Sequence, residues 1–255
     1  MAVIVEFTGM TGAGKTTLVE AVKDLLCDQG FVARDAYDVV LERLGLKLNS
    51  HPSIRSLLID LLALFPALRY LMSRRGSSLL ALGVRAIPRD AEGLLEALNL
   101  WRNFFKRIGV HFMLSRLSKL PGQVDFAVYD EGILHIAHNL FVHTGSEPNP
   151  AEVIHFSNIV PKPDVIVWVK SSETQSMGTI LKRGHPRVAS SEVAAREFVQ
   201  NGMRTFEILC SQRAVQEKLF TVVNGSPRDS SSVRDHARAV AAYLVKSRAA
   251  TPVHA

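Results

Sequence analysis

A glycine-rich segment near the N-terminus constrains the fold of this chain more than any other stretch. Residues 3–7 are β-branched or aromatic apart from Glu6, which predicts a strand, and a helical pattern follows residue 17. Between them lies Gly9-x-x-x-x-Gly14-Lys15-Thr16, the spacing of a phosphate-binding loop. The glycines allow backbone N–H groups to turn toward an anion, and the helix adds the positive end of its dipole. This order predicts an α/β fold that binds a nucleoside triphosphate.

The residues of the loop have separate expected tasks. Lys15 can reach the β- and γ-phosphates, and the hydroxyl of Thr16 can bind Mg²⁺. We therefore expect ATP and Mg²⁺ as cofactors. The residues expected to surround the phosphates are Gly9, Met10, Thr11, Gly12, Ala13, Gly14, Lys15, Thr16 and Thr17.

Length and composition agree with one globular domain. Of 255 residues, 47% are hydrophobic and 21% are charged, which excludes large-scale disorder. The net charge of +6 suits an anionic ligand, and an acidic membrane surface or nucleic acid would also suit it. The chain has no nucleic-acid recognition motif and no long basic tract, so we expect no nucleic acid partner. The first strand leaves no room for a secretory signal, so a cytoplasmic location is expected.

Four more apolar runs predict the remaining strands of a five-stranded parallel sheet. They are residues 31–34, 126–130, 165–169 and 219–223. The helical patterns between them predict a three-layer P-loop fold over residues 1–248, followed by a flexible tail at 249–255. A mainly helical insertion, residues 36–118, separates the second and third strands.

Two long helical patterns stand out among the remaining residues. One runs from Asp90 to about Leu117 and places Arg102 and Lys106 one turn apart. These cations either form a solvated face or project into a substrate cleft. The second runs from Glu192 to Gln216.

Residues 54–72 form the most apolar run of the chain. Charged residues and a proline interrupt it at Arg55, Asp60, Pro66 and Arg69. These interruptions argue against a membrane-spanning helix. A buried helix, a helix lining a substrate pocket or a homodimer interface, and an interfacial helix over residues 54–75 are the alternatives.

Two acidic residues follow the predicted third strand. Asp130 comes after four apolar residues, as a Walker B carboxylate does, and could hold Mg²⁺ directly or through water. A helix-capping aspartate is the alternative. Glu131 either activates water, as in an ATPase, or holds a substrate. Glu6, on the first strand, needs a buried partner that the sequence does not identify.

A basic loop over residues 182–191 is the predicted lid. Phosphoryl transfer needs cations that follow the migrating charge, and it needs water to be excluded. Arg183 and Arg187, with Gly184 as hinge, can do both when the loop closes. Arginine suits this task because its planar fork bridges two phosphate oxygens. An exposed basic turn is the alternative.

These motifs resemble a known family in their order along the chain. They are the Gly9–Thr16 loop, Arg34-Asp35, Asp130-Glu131, the Arg183/Arg187 loop and the turn Asn224-Gly225-Ser226. The same order is seen in thymidylate kinase-like P-loop kinases, within the nucleoside and nucleotide kinases. The resemblance covers residues 1–35 and 120–248.

The resemblance implies an acceptor side and a donor side. Asp35 matches the acidic residue that positions or deprotonates the phosphoryl acceptor, and Arg34 matches its arginine neighbour. Arg102 falls where an arginine of the family holds the acceptor phosphate, whereas Glu131 replaces an arginine of the family. On the donor side, Arg183 and Arg187 resemble lid arginines. The residues that would pack against adenine are Asn224, Gly225 and Ser226.

Three functions are open at this stage. The leading hypothesis is a kinase that transfers the γ-phosphoryl group of ATP to a nucleoside monophosphate, a nucleoside or a similar small anionic or hydroxyl acceptor. It assigns catalysis to Lys15, Asp35, Arg183 and Arg187, metal binding to Thr16 and Asp130, and acceptor binding to Arg34, Asp35, Arg102, Lys106 and Glu131. The alternatives are a hydrolytic ATPase or GTPase that uses Asp130 and Glu131, and a nucleotide-dependent docking module that uses residues 54–75. Residues 50–90 have no counterpart in the family.

Overall fold

In the computed structural model, residues 1–46, 52–91, 93–118, 124–184, 188, 191–224 and 230–250 are described. Five strands in these ranges form one parallel sheet in the order β2-β3-β1-β4-β5. The strands are β1 (Val3–Thr8), β2 (Ala33–Asp35), β3 (Phe126–Asp130), β4 (Val165–Ser171) and β5 (Leu219–Asn224). The predicted five-stranded parallel sheet is confirmed.

Eleven helices lie in the described part of the chain. They are α1 (Lys15–Asp28), α2 (Ala36–Arg43), α3 (Pro52–Leu71), α4 (Gly76–Asp90), α5 (Leu94–Leu117), α6 (Ile136–Phe141), α7 (Pro150–Ile159), α8 (Glu173–Arg183), α9 (Glu192–Ser211), α10 (Arg213–Gln216) and α11 (Ser230–Ala250). Four of them, α2 to α5, form the predicted helical insertion between β2 and β3.

The sheet is covered on both faces, which gives the three predicted layers. Val3, Val5 and Phe7 of β1 point to the face covered by α1 and α11. Ile4 points to the opposite face, which α2 and α5 cover. This alternation follows from the two-residue period of a strand. It also places Glu6 on the face of Ile4, beneath the helices of the insertion.

Register fixes the edge at which a site can form. In β1 and β3, Val3 lies opposite Phe126 and Phe7 lies opposite Asp130. The carboxyl ends of these two parallel strands therefore meet at one edge of the sheet. The glycine loop that follows β1 is placed beside the carboxylates that follow β3.

Close packing joins α3 to α5 within the insertion. A Cβ atom on Gly109 would overlap the carbonyl of Ala63, so only glycine permits this approach. Further along both helices, Tyr70 stacks on Phe112 with ring centroids 4.2 Å apart. The two helices thus form one unit that borders the carboxyl edge of the sheet.

Several predicted boundaries are wrong. The predicted helix from Asp90 to Leu117 is interrupted, because α4 continues through Pro88 to Asp90 and α5 begins at Leu94. The predicted helix 192–216 breaks at Gln212, whose side chain binds the carbonyl of Ile208 while its own backbone is extended. The last helix, α11, continues two residues into the predicted tail, and residues 251–255 lie outside the described ranges.

No single helix in the described ranges is long and apolar enough to cross a membrane. The pair Ser53–Leu71 and Gly76–Arg89 meets the length and composition criteria jointly, but the two helices are bent by 110° relative to each other.

Candidate active site

The glycine loop turns sharply between β1 and α1. Gly9, Gly12 and Gly14 have φ angles of 138°, 85° and 88°, a region that residues with a Cβ atom rarely adopt. A Cβ atom on Gly9 would also overlap the carbonyl of Val169 on β4. The glycines are therefore required both by the turn and by the neighbouring strand. The loop lies at the carboxyl edge of the sheet, where ligands bind in open α/β folds.

Thr16 and Asp130 meet at the first turn of α1. The Thr16 hydroxyl donates a hydrogen bond to Asp130 Oδ2 at 2.5 Å. Burial raises the pKa of the Asp130 carboxyl above its ordinary value, although this hydrogen bond opposes the shift. The other oxygen, Asp130 Oδ1, is buried and has no hydrogen-bond partner among the described residues.

This donor set fits Mg²⁺. A hydroxyl and a carboxylate with an unpaired buried oxygen are hard oxygen ligands, which Mg²⁺ prefers. The described residues contain no group of three or more histidine, cysteine, aspartate or glutamate side chains that could hold a metal ion by themselves. Thr16 and Asp130 would therefore hold the ion together with phosphate oxygens and water, as Mg²⁺ commonly requires.

Lys15 is folded back onto its own loop. Its ammonium group donates to the carbonyls of Gly9 at 3.1 Å and Met10 at 2.9 Å. It also forms an ion pair with Glu131 Oε1 at 3.2 Å. Nucleotide phosphates that enter the loop would compete with Glu131 for this ammonium group.

Glu131 is held in an uncommon backbone conformation. Its φ of 72° is the only positive value among the described non-glycine residues, and such strain is concentrated at functional sites. Besides Lys15, its carboxylate faces Arg107 at 3.5 Å and His135 at 3.3 Å. Burial would raise the pKa of Glu131, but the charges of Lys15, Arg107 and His138 outweigh burial and hold that pKa below its ordinary value. Glu131 is therefore ionised.

A cavity of about 680 Å³ lies between the glycine loop and α8. Thr16 and Glu131 line one wall, while Lys182 and Arg183 at the end of α8 line the other. This volume is within the range of small-molecule sites, roughly 300–1,000 Å³. Of the two predicted lid arginines, Arg183 thus faces the cavity, and Arg187 lies outside the described residues, as does half of the predicted lid.

The lid-side helices pack directly on the loop. A Cβ atom on Gly12 would lie 3.1 Å from Ser176 O and from Thr179 Cβ of α8. The buried side chain of Met10 is packed against Gly202 of α9. The sequence predicted Met10 only as one of the residues around the phosphates, whereas its side chain also packs the loop against α9.

Asn224 contacts the glycine loop, which the sequence did not predict. Its amide donates to the carbonyl of Ala13 at 2.9 Å, and its side chain is buried. Asn224 thus fixes the backbone of the glycine loop from β5. Gly225 and Ser226 lie outside the described residues, so the predicted adenine contact of the turn stays a prediction.

Asp35 ends β2 and caps α2. Its Oδ1 atom accepts a hydrogen bond from the Tyr37 N–H at 2.8 Å and lies 3.6 Å from Arg55. Burial raises the pKa of Asp35, and the hydrogen bond from Tyr37 opposes this shift. Arg34 is exposed on the edge strand and forms no ion pair with a described residue.

Arg102 and Lys106 are bound to α3. Asp60 lies 2.6 Å from Arg102 and 3.3 Å from Lys106, and Ser56 accepts hydrogen bonds from both cations. Lys106 also lies over the ring of Tyr37, 5.1 Å from its centroid. The two cations predicted to bind an acceptor therefore link α5 to α3, and Lys106 also links α5 to Tyr37 of α2.

A buried polar network beneath the loop was missed in the sequence. Thr11 Oγ1 lies 3.2 Å from His138 Nε2, and His138 stacks on His135 at 4.8 Å. The N–H of His135 donates to Glu6 Oε1 at 3.1 Å, which supplies the partner that Glu6 needs. The signal was the spacing of His135 and His138, which are three residues apart and therefore lie on one side of a helical turn.

Burial raises the pKa of Glu6 to about 7, against the hydrogen bonds from Leu134 and His135 and the charge of Arg107. Arg107 also donates to the carbonyl of His135 at 3.2 Å. Arg107 follows Lys106 directly in the sequence, but its position on α5 faces Glu131 instead of α3.

Comparisons with known proteins return only structural neighbours. No protein-family model and no curated protein matches the chain. A shikimate kinase from Acinetobacter baumannii in complex with shikimate is 12% identical, covers 96% of this chain and 94% of its own, and has a TM-score of 0.40. A deoxyadenosine kinase from M. mycoides with bound dATP is 12% identical, with 95% and 99% coverage and a TM-score of 0.43. At this level of similarity, function has to be argued from the residues of the chain itself.

Proposed function

We propose that this chain is a P-loop phosphotransferase that uses ATP and Mg²⁺ to phosphorylate a small acceptor. The contact between Thr16 and Asp130 at 2.5 Å carries the proposal, because it joins the hydroxyl that follows the glycine loop to a carboxylate with an unpaired oxygen. When bound, Mg²⁺ would neutralise charge on the β- and γ-phosphates. The order of motifs resembles the thymidylate kinase-like branch on this donor side.

Lys15 and Arg183 would stabilise the transferred group from opposite walls of the cavity. Lys15 would exchange its ion pair with Glu131 for phosphate oxygens, and Arg183 lies at the end of α8, directly before Gly184. Gly184 has a φ of 69°, which ends α8 and turns the chain toward the predicted lid. Charge on the migrating phosphoryl group would thus be held between two fixed cations.

The acceptor side differs, because its cations other than the exposed Arg34 are already paired with carboxylates. Four cations flank Tyr37 and Glu131, and each is within ion-pair distance of a carboxylate. The pairs are Arg55–Asp38 at 2.6 Å, Arg102–Asp60 at 2.6 Å, Lys106–Asp60 at 3.3 Å and Arg107–Glu131 at 3.5 Å. Burial raises the pKa of Tyr37 to about 12, so its phenol stays a neutral donor.

This charge balance favours an uncharged acceptor. A phosphate monoester carries about two negative charges at neutral pH and is bound by free arginine or lysine groups. Taking Arg102 and Lys106 from Asp60 would leave a largely buried carboxylate unpaired, which is costly. A hydroxyl group, by contrast, can donate to Asp35 or Glu131 without breaking these pairs. We therefore propose a nucleoside or polyol as acceptor, not a nucleoside monophosphate.

A hydrolytic NTPase is the second candidate. Glu131 is ionised, lines the cavity and contacts Lys15, so it is placed to orient water as well as an acceptor hydroxyl. In that case the rate of phosphate release would be independent of any acceptor and would be lost in Glu131→Gln.

A panel of matched acceptors tests the proposal. ADP formation and acceptor phosphorylation are measured for the full chain with nucleosides, simple polyols and the monophosphates of the same nucleosides. We expect kcat/KM for at least one uncharged acceptor to exceed that for its monophosphate by about tenfold or more. Preferred use of a monophosphate would overturn the acceptor assignment alone, and rapid release of phosphate without any acceptor would favour the NTPase.

A further inference from the structure

An uncovered apolar face runs along α3 and ends at Met72, directly after the helix; we call it the α3 outer face. Its seven apolar side chains are each between 42% and 84% exposed. They are Ile54, Leu57, Leu61, Leu64, Phe65, Leu68 and Met72. The spacing of three and four residues between most of them places them on one side of the helix.

The opposite face of α3 is also apolar and packs on α5. Ile59, Ala63, Ala67 and Leu71 are at most 3% exposed. A helix that is apolar on both sides is usually buried on both sides. The α3 outer face therefore has the composition of a surface that another body covers.

The charge around this face is strongly positive. Residues 52–91 contain six arginines and two aspartates, a net charge of +4, compared with +6 for the whole chain. Asp60 is turned to α5, where Arg102 and Lys106 bind it. Arg69, Arg74 and Arg75 are exposed, and none forms an ion pair with a described residue. The C-terminal end of the α3 outer face is thus bordered by unpaired cations, whereas Arg55 at its N-terminal end is paired with Asp38.

We propose that the α3 outer face docks on the surface of an anionic lipid bilayer. The helix would lie in the membrane plane with its leucines and Phe65 at the boundary between head groups and acyl chains. Arg69, Arg74 and Arg75 would contact lipid phosphates, since anionic membrane surfaces attract exposed basic residues. The chain would lie on the membrane and not cross it, in agreement with the absence of a single helix in the described ranges that meets the spanning criteria.

A second copy of this chain fits the face less well. Twenty residues of helix are about 30 Å long, so one face about 10 Å wide offers roughly 300 Å². Stable protein interfaces bury about 800 Å² on each partner. Pairing the α3 outer face with itself would also bring two basic surfaces together, whereas anionic lipid neutralises them.

Docking of the α3 outer face on a membrane would involve the same helix that binds the cations of the proposed acceptor side. Through Ser56 and Asp60, the inner face of α3 binds Arg102 and Lys106. The lipid surface and the α5 cations therefore lie against opposite faces of one helix. The docking proposal itself rests on exposure and charge and is independent of the proposed phosphotransfer.

Flotation of the full chain with vesicles tests the proposal. Vesicles of phosphatidylcholine alone are compared with vesicles in which about one-third of the lipid is phosphatidylserine. We expect the chain to float with the anionic vesicles and at least tenfold less with the neutral ones. Failure to float with either kind, or equal flotation with both, overturns the proposal.

Two multiple variants test whether the α3 outer face is the surface that binds the vesicles. Leu61→Ser with Phe65→Ser should reduce flotation about tenfold, and Arg69→Gln with Arg74→Gln and Arg75→Gln should remove the difference between the two kinds of vesicle. The matched controls change exposed apolar residues and exposed, ion-paired arginines elsewhere: Ile154→Ser with Val193→Ser, and Arg196→Gln with Arg213→Gln and Arg238→Gln. Circular dichroism verifies that each variant is folded. Full flotation of the Leu61/Phe65 variant, or its conversion from dimer to monomer with unchanged flotation, contradicts the proposal.

Discussion

The donor side and the acceptor side of the candidate site are built from different kinds of contact. On the donor side, Asp130 Oδ1 is unpaired, and Arg183 of α8 lines the wall of the cavity. On the acceptor side, Arg102 and Lys106 share Asp60, and Arg55 is bound to Asp38. Polar groups without a partner indicate where a charged ligand can bind. Neutralised cations indicate where an uncharged partner is favoured.

Lys15→Ala is expected to have the largest effect, because it removes the ammonium group from the donor side. Turnover should fall by roughly 10²–10³-fold, the usual effect of removing one electrostatic contact to the developing charge. Steady-state ADP formation measures it, and Lys246→Ala, an exposed change on α11, is the control. If Lys15→Ala kept half of the activity, the glycine loop would not be the donor site.

Glu6→Gln is expected to change how the stability of the fold depends on pH. The Glu6 carboxylate lies on β1 and accepts a hydrogen bond from the N–H of His135. The pKa of Glu6 is about 7 in the folded protein, compared with 4.5 for an exposed glutamate. A raised folded pKa stabilises the fold below pH 4.5, and this contribution is lost as pH rises through 7. The loss amounts to at most about 3 kcal/mol.

Urea denaturation at pH 5 and pH 8 measures this contribution. Wild type should lose more stability between the two pH values than Glu6→Gln does, because the amide does not titrate. Parallel losses in both proteins would show that Glu6 is not the titrating group. Glu20→Gln, on the exposed side of α1, is the matched control.

Arg183→Ala tests the donor side at the cavity wall formed by the end of α8. We expect kcat to fall about 10- to 100-fold while the KM for ATP changes by less than about threefold, because the guanidinium would act mainly on charge that develops during transfer. Arg213→Ala on α10, an exposed arginine, provides the control. An unchanged kcat would remove Arg183 from the lid.

Asp60→Asn is expected to have the smallest effect and to act on the acceptor side only. The change reduces the charge that neutralises Arg102 and Lys106, so activity with monophosphate acceptors should rise relative to the uncharged ones by about three- to tenfold. Asp235→Asn, in an exposed ion pair with Arg238, is the control. A constant ratio between the two acceptor classes would show that these cations lie outside the acceptor site.

The difference between the donor side and the acceptor side also explains which parts of the site could be predicted from the sequence. The donor side could be predicted because residues 9–16 are contiguous and the positive φ angles of Gly9, Gly12 and Gly14 require glycine. Asp130 was found because a buried parallel strand ends in a carboxylate at a predictable edge. Both inferences depend on local pattern, and the fold that they implied is confirmed.

The acceptor side depends on contacts between residues that are far apart in sequence. Asp60 meets Arg102 across 42 residues and Glu6 meets His135 across 129. Helical periodicity placed Arg102 and Lys106 on one face but could not show that α3 supplies their carboxylate. The break between α4 and α5 was missed for a similar reason, since local patterns on both sides of it are helical.

Transfer of label from γ-labelled ATP tests the central claim most directly. In a single turnover with an uncharged acceptor, we predict that nearly all of the lost label is recovered as acceptor phosphate ester. Without an acceptor, hydrolysis should be slower by about 100-fold or more, because the site must exclude water. Release of the label as inorganic phosphate at the same rate, with or without any acceptor, would contradict the division into a donor side and an acceptor side.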